Sequence, residues 1–179
     1  MRWKMVMMLG GLAVAAGLVA SLRTPGQSSP APSKLTGGAA SVEALADALL
    51  EALHQGDEAA LQRLRVNEDE YRTIIAPGTV APGQPLRRVS LEATGFFWRL
   101  LATRSGDYAR ILLRDFGGKP WQREEIVFTK GRQPYATYTA LGELRLTVRA
   151  PDGTSAVVRT GTVAEVGGSH KLIGFNWDD

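Results

Sequence analysis

The chain has 179 residues, 44 % apolar and 22 % charged, a globular composition with room for one domain. It contains no cysteine, which excludes disulfide frameworks, thiolate metal sites, thiol nucleophiles and a lipidated cysteine; with only His54 and His170, no metal site is expected either. The net charge is +3, but Arg2, Lys4 and Arg23 supply that excess and the remaining cations balance the 18 acids, so no nucleic-acid partner is expected.

Arg2 and Lys4 precede an uncharged apolar run over residues 5–22. As a helix it would reach roughly 27 Å, close to a hydrocarbon core, and it has no polar face. Two readings stand: a retained membrane anchor, or a secretory signal cleaved after Val19-Ala20-Ser21. Both place residues 1–23 in the export segment and everything beyond Arg23 outside the cytoplasm. Residues 24–40 are rich in Pro, Ser, Gly and Ala without an apolar period, which predicts a flexible linker.

The folded domain is expected over 41–179. Val42, Leu45, Ala46, Leu49, Leu50 and Leu53 fall on one face of a first helix, capped by Ser41 and closed by Gly56. Asp57 caps a second helix carrying Ala60, Leu61 and Leu64. Asn67 leads a short third one with Glu68, Asp69 and Glu70 in its first turn, ending before Pro77. A loop follows over 77–85. Residues 90–116 are helical in period, with Leu91, Phe97, Trp98, Leu101, Tyr108, Ile111 and Leu112 as core candidates and a break at Ser105-Gly106.

Strand patterns then take over. They cover 122–129 with a turn at Lys130-Gly131, 135–150 with a bulge at Gly142, 155–166, and 170–177. Asp152-Gly153 reads as a two-residue hairpin turn and Gly167-Gly168 as another. Helices followed by an antiparallel meander of about four strands make an α+β fold.

The first helix, the Gly56-Asp57 step into Ala59-Ala60-Leu61, the later helix and the four strands together resemble the nuclear transport factor two-like superfamily, the cystatin-like cone. The resemblance covers residues 41 to 179. It implies helices packed on a curved sheet. That superfamily holds isomerases, dehydratases, partner-binding adaptors and periplasmic assembly modules, so fold alone does not choose among them.

Phosphate-loop, H-E-x-x-H and G-x-S-x-G motifs are absent, and no catalytic residue or cofactor is assigned. His54, at the end of the first helix, suits either a general base or a favourable interaction with the helix dipole. His170 falls opposite Glu165 across the Gly167-Gly168 turn, as an acid–base dyad or an exposed cross-strand charge pair. Glu124 and Glu125 point to opposite faces of their strand, where one of them can enter the cone.

In the register set by Asp152-Gly153, Leu144, Leu146 and Val148 share a face with Val157 and Val163. Val158, Ile173, Phe175 and Trp177 lie on the other face beside Arg145, Thr147 and Arg149. Two apolar faces suggest that helices cover one and that a protein partner, a second copy or a ligand covers the other; alternatively the arginine stems shield it. The expectation is an exported, membrane-tethered binding or assembly module without catalytic activity, with Trp98, Tyr138, Arg145 and Trp177 as binding residues. The alternative is a small-molecule site, carrier or isomerase-like enzyme, inside the cone, walled by Trp98, Tyr138 and Trp177.

Overall fold

The structure, a computed structural model, describes residues 34–175. The apolar run at 5–22 and Trp177 lie outside the described residues. Among the described residues no helix is long and apolar enough to cross a membrane.

Five helices come first: α1 (Val42–Gln55), α2 (Glu58–Arg63), the single turns α3 (Glu68–Glu70) and α4 (Ala76–Gly78), and α5 (Leu91–Phe116). Ser41 accepts the N–H of Ala44 and Asp57 that of Ala60, so each expected cap satisfies a first-turn donor, and Ser90 does the same for Ala93 at the start of α5. Gly56 closes α1 in the left-handed conformation, returning its N–H to the last turn. Leu45, Leu49 and Leu53 of α1 are fully buried, each contributing roughly 1.5–3 kcal/mol relative to exposure.

Three helical expectations need correction. The third helix passes through a π-helical turn (Tyr71–Ile75) and continues past Pro77 as α4, because proline lacks a donor only where the first turn of α4 needs none. Ser105-Gly106 does not break α5: Ser105 is buried and its hydroxyl accepts the N–H of Phe175, so the position is held from outside. Phe97 and Leu91, read as core, are 53 % and 73 % exposed.

Seven strands follow: β1 (Gln122–Phe128), β2 (Arg132–Pro134), β3 (Thr139–Leu141), β4 (Leu144–Arg149), β5 (Ser155–Arg159), β6 (Val163–Val166) and β7 (Ser169–Leu172). They form two antiparallel sheets, ordered β1-β4-β5 and β2-β3-β6-β7. The two are halves of one bent meander. The chain runs from β1 to β2, from β3 to β4 and from β5 to β6 without reversing, and bridging bonds such as Lys130 N–H to Gly142 C=O and Thr160 N–H to Leu144 C=O cross the bend.

Lys130-Gly131 is therefore not a hairpin turn. The chain reverses at Ala136-Thr137, closed by the N–H of Tyr135 on the carbonyl of Tyr138 at 2.8 Å. The Gly167-Gly168 turn is a two-residue hairpin, with both glycines at positive φ as a primed turn demands.

At the other hairpin, Ala150 N–H reaches Thr154 C=O, so Pro151, Asp152 and Gly153 form a three-residue loop with Gly153 at φ 84°. The extra residue moves the register by one and exchanges Val157 with Val158. Leu146 faces Val158 inside the core, while Thr147 faces Val157, which is 47 % exposed. The outer face of β1-β4-β5 thus carries Arg145, Thr147, Arg149 and Arg159, with only Val127 and Val157 as exposed large apolar side chains. It is a solvated face and not a second apolar one.

The main core lies between α1, α5 and the inner face of both sheets, and Phe175 is in it. A second cluster gathers Leu35, Val66, Ile74, Ile75, Tyr138, Ala140, Ala164 and Val166, with Trp98, Tyr71, Tyr135 and Ile173 against it. Leu35 shows that order begins before Ser41, inside the expected linker. It is 3 % exposed, and Ala39 exchanges backbone bonds with His170.

Candidate functional site

Strand β7 is buried along its whole length because it is paired on both edges. On one side lies β6. On the other lie Ala39 and the segment after α2, where Val66 N–H donates to Leu172 C=O at 2.8 Å and Leu172 N–H to Leu64 C=O at 2.9 Å. This pairing brings Arg65 and Lys171 into one cleft of about 710 Å³, whose wall on the α5 side is Trp98.

Lys171 is committed. Its ammonium donates to both oxygens of Glu70, at 3.0 and 3.2 Å, with both side chains about 95 % buried. The same carboxylate accepts the N–H groups of Thr36 (2.6 Å) and Asn67 (2.8 Å), the latter completing a capping box with Asn67. Every strong acceptor site of Glu70 is therefore used.

Arg65 is not committed in the same way. It is 5 % exposed, and its guanidinium lies 5.5 Å from the ring centre of Trp98, a cation–π contact. Nη1 donates to Gln62, but Nε and Nη2 have no partner among the described residues. Burial lowers its pKa to about 10. Nε and Nη2 form the edge of a guanidinium that binds a carboxylate side-on, the edge with which Arg123 grips Asp47 on the surface of this molecule. That edge is out of contact with solvent beside the cleft, so an anion in the cleft reaches it only when the Arg65 side chain turns outward.

The four sequence-assigned binding residues are not brought together. Trp98 is in the cleft just described, half-buried, with Tyr71 5.6 Å from its ring. Tyr138 belongs to the second apolar cluster but faces a different depression; it stacks on Tyr135 at 4.9 Å, its hydroxyl is 3.0 Å from that of Thr79, and burial raises its pKa. Arg145 stands on the outer sheet face between Val127 and Arg159 and reaches Glu143 at 3.3 Å. Trp177 is outside the described residues.

Neither histidine pattern makes a dyad. His170 does oppose Glu165, but the imidazole is buried against the carbonyl of Ala39 and Glu165 pairs instead with Arg132 at 2.7 Å. His54 lies at the end of α1 as read, with its Nδ1 buried and without a partner among the described residues. A bulge between Arg123 and Glu125 leaves both Glu124 and Glu125 exposed, so neither enters the interior; Glu124 pairs with Arg149 and Glu125 with Thr147.

Arg65, Glu70 and Lys171 were not singled out by sequence reasoning. The Asn67-x-x-Glu70 spacing signals a capping box and was available. Nothing local marks Arg65 or Lys171, which are buried by a strand pairing more than a hundred residues apart in the chain. Searches against protein-family models, curated proteins and solved structures find no match to this chain.

Proposed function

We propose that the chain is an exported, membrane-tethered and non-enzymatic binding module, whose cone-like domain captures a carboxylate or phosphate group in the cleft at Arg65. The observation that carries this reading is the buried guanidinium with Nε and Nη2 unpartnered. An unmade pair of charged hydrogen bonds costs several kcal/mol of order of magnitude, and an anionic ligand recovers it. Trp98 supplies a flat apolar wall for the body of such a ligand. Export and tethering are supported by the basic-flanked apolar run at 5–22. The cone is supported by helices packed against a bent meander.

The outer sheet face, first considered for a protein partner or self-association, is less suited to that role. Its arginines are largely engaged: Arg145 with Glu143 and Arg149 with Glu124. The anionic group is better placed on a protein partner or small molecule that enters the Arg65 cleft.

The test is a titration of the protein with acetate, succinate and inorganic phosphate, followed through the Nε–H resonance of Arg65 and the indole N–H of Trp98. Saturable shifts of both, lost in Arg65→Gln with the fold intact, are expected. An Arg65 resonance that ignores all three anions refutes the reading.

A further inference from the structure

The first half of α5 presents an unusual surface. Phe96, Phe97 and Leu100 are 56 %, 53 % and 41 % exposed, and Leu91 in the first turn is 73 % exposed. Phe96 and Leu100 are one turn apart and Phe97 and Leu100 three residues apart, so they form one stripe on the side of α5 away from its buried Thr94, Ser105, Ala109 and Leu112. The two phenyl rings lie edge to face at 5.5 Å. Isolated exposed apolar residues are ordinary, but a contiguous patch with two phenylalanines is not.

Its charge is equally one-sided. Between Leu86 and Gly106 the sequence has Arg87, Arg88, Arg99 and Arg104 against Glu92 alone, in a chain that is charge-balanced as a whole beyond Arg23. All four arginines are exposed, and no ion pair holds any of them among the described residues. Arg99 and Arg104 flank the apolar stripe and Arg87 and Arg88 precede it. Phenylalanine and leucine on one face with arginine at its borders is the composition of a helix that lies in a bilayer interface, apolar groups among the acyl chains and cations at anionic headgroups.

The position of the patch fits. Residues 23–34 separate the apolar run from buried Leu35, so when fully extended they span about 40 Å at most. Leu35 enters the domain in the second apolar cluster, and Trp98, next to Phe97, packs on that cluster. The entering segment and α5 thus share this cluster.

We infer that the Phe96-Phe97-Leu100 face of α5 docks on the anionic surface of the membrane that anchors the chain. The location of the tether rests on the anchor reading proposed above; the charge and exposure of the patch do not.

The absence of cysteine permits a direct test. Full-length protein carrying a single nitroxide-labelled cysteine, Leu100→Cys or the control Val157→Cys on the outer sheet face, is mixed with phosphatidylcholine vesicles with or without phosphatidylglycerol. The label at 100 should become accessible to oxygen and shielded from a nickel chelate only when phosphatidylglycerol is present, while the label at 157 stays exposed. Docking should weaken about fivefold for each arginine removed in Arg99→Gln and Arg104→Gln, and raised salt should weaken it further.

Flotation with pure phosphatidylcholine reports the anchor separately. A chain that fails to float there, yet is shielded at 100 on phosphatidylglycerol vesicles, still supports docking. A label equally exposed on both vesicles overturns the inference. Shielding that grows with protein concentration and without vesicles overturns it too, because a second copy then covers the patch.

Discussion

Lys171 and Glu70 meet through two hydrogen bonds in the interior, a hundred residues apart in sequence, and the Glu70 carboxylate also fastens Thr36 and Asn67. One side chain therefore joins the entering segment, the start of α3 and the last strand β7. A buried ion pair need not stabilise relative to apolar packing, but half of one is costly.

Lys171→Met should accordingly destabilise the fold by about 3–5 kcal/mol in urea denaturation, since it strands a carboxylate. Adding Glu70→Gln to that variant should restore part of the loss, because a neutral amide still offers an acceptor to Asn67. A double variant as unstable as the sum of the two single variants would show that the pair is not coupled.

Arg65→Met should act in the opposite direction. It replaces a guanidinium with two idle donors by an apolar chain of similar reach, and stability should rise by about 1–3 kcal/mol or remain level. Binding of succinate or phosphate should vanish in the same variant. Lost stability with retained anion binding would contradict the role assigned to this residue.

Glu143 connects backbone geometry with pH. It has a φ of 49° at the bend between β3 and β4, the sole non-glycine with positive φ among the described residues. Hydrogen bonds from Lys130 and Thr129, aided by Arg145, lower its pKa from 4.5 to about 2. A carboxylate depressed in the folded state stabilises fully above its unfolded pKa and loses that contribution as pH falls through the folded one. The acid limb between pH 4.5 and about 2 should therefore flatten in Glu143→Gln. Glu143→Gly should flatten it equally while relieving the left-handed backbone, so its stability at neutral pH should exceed that of Glu143→Gln. Urea midpoints measured across that pH range decide both points.

The domain boundary can be tested by truncation. Removing residues 1–40 deletes Leu35, the Ala39 pairing and the Thr36 bond to Glu70, whereas removing 1–33 deletes none of them. The shorter protein should be less stable by about 2 kcal/mol or more, the scale of a lost buried leucine. Equal melting temperatures would return residues 34–40 to the linker.

Helix caps and apolar periods are local, and Ser41 and Asp57 were legible for that reason, as was the α+β order. The outcome at Val157 and Val158 shows where locality fails. Pro151 adds one residue to a turn that Asp152-Gly153 alone suggests is shorter, and the period of two then reverses which valine is inside. Phe97 was read as core from its apolar type, yet it lies on the side of α5 away from the buried Thr94, Ser105, Ala109 and Leu112. Of the site, only Trp98 was visible beforehand. Arg65 and Lys171 become a pair of neighbours through the bridge between Arg65 and Leu172, and no window of sequence contains both.

The bend in the meander has a mechanical corollary. Leu141 faces Val163 on one side of it and Arg145 faces Arg159 on the other, with three residues between in each strand. Along this pair neither strand has gained a residue on its neighbour, although in the next pair, where Phe128 faces Leu144 and Arg132 faces Leu141, three residues on one strand stand against two on the other; the unshifted pair is what ties the halves together. Sliding either half would drag the other out of alignment, and the tip at Gly153 is thereby locked to the base at Thr139. Amide protons of β3, β4, β5 and β6 should exchange with a common opening rate, as one continuous ribbon.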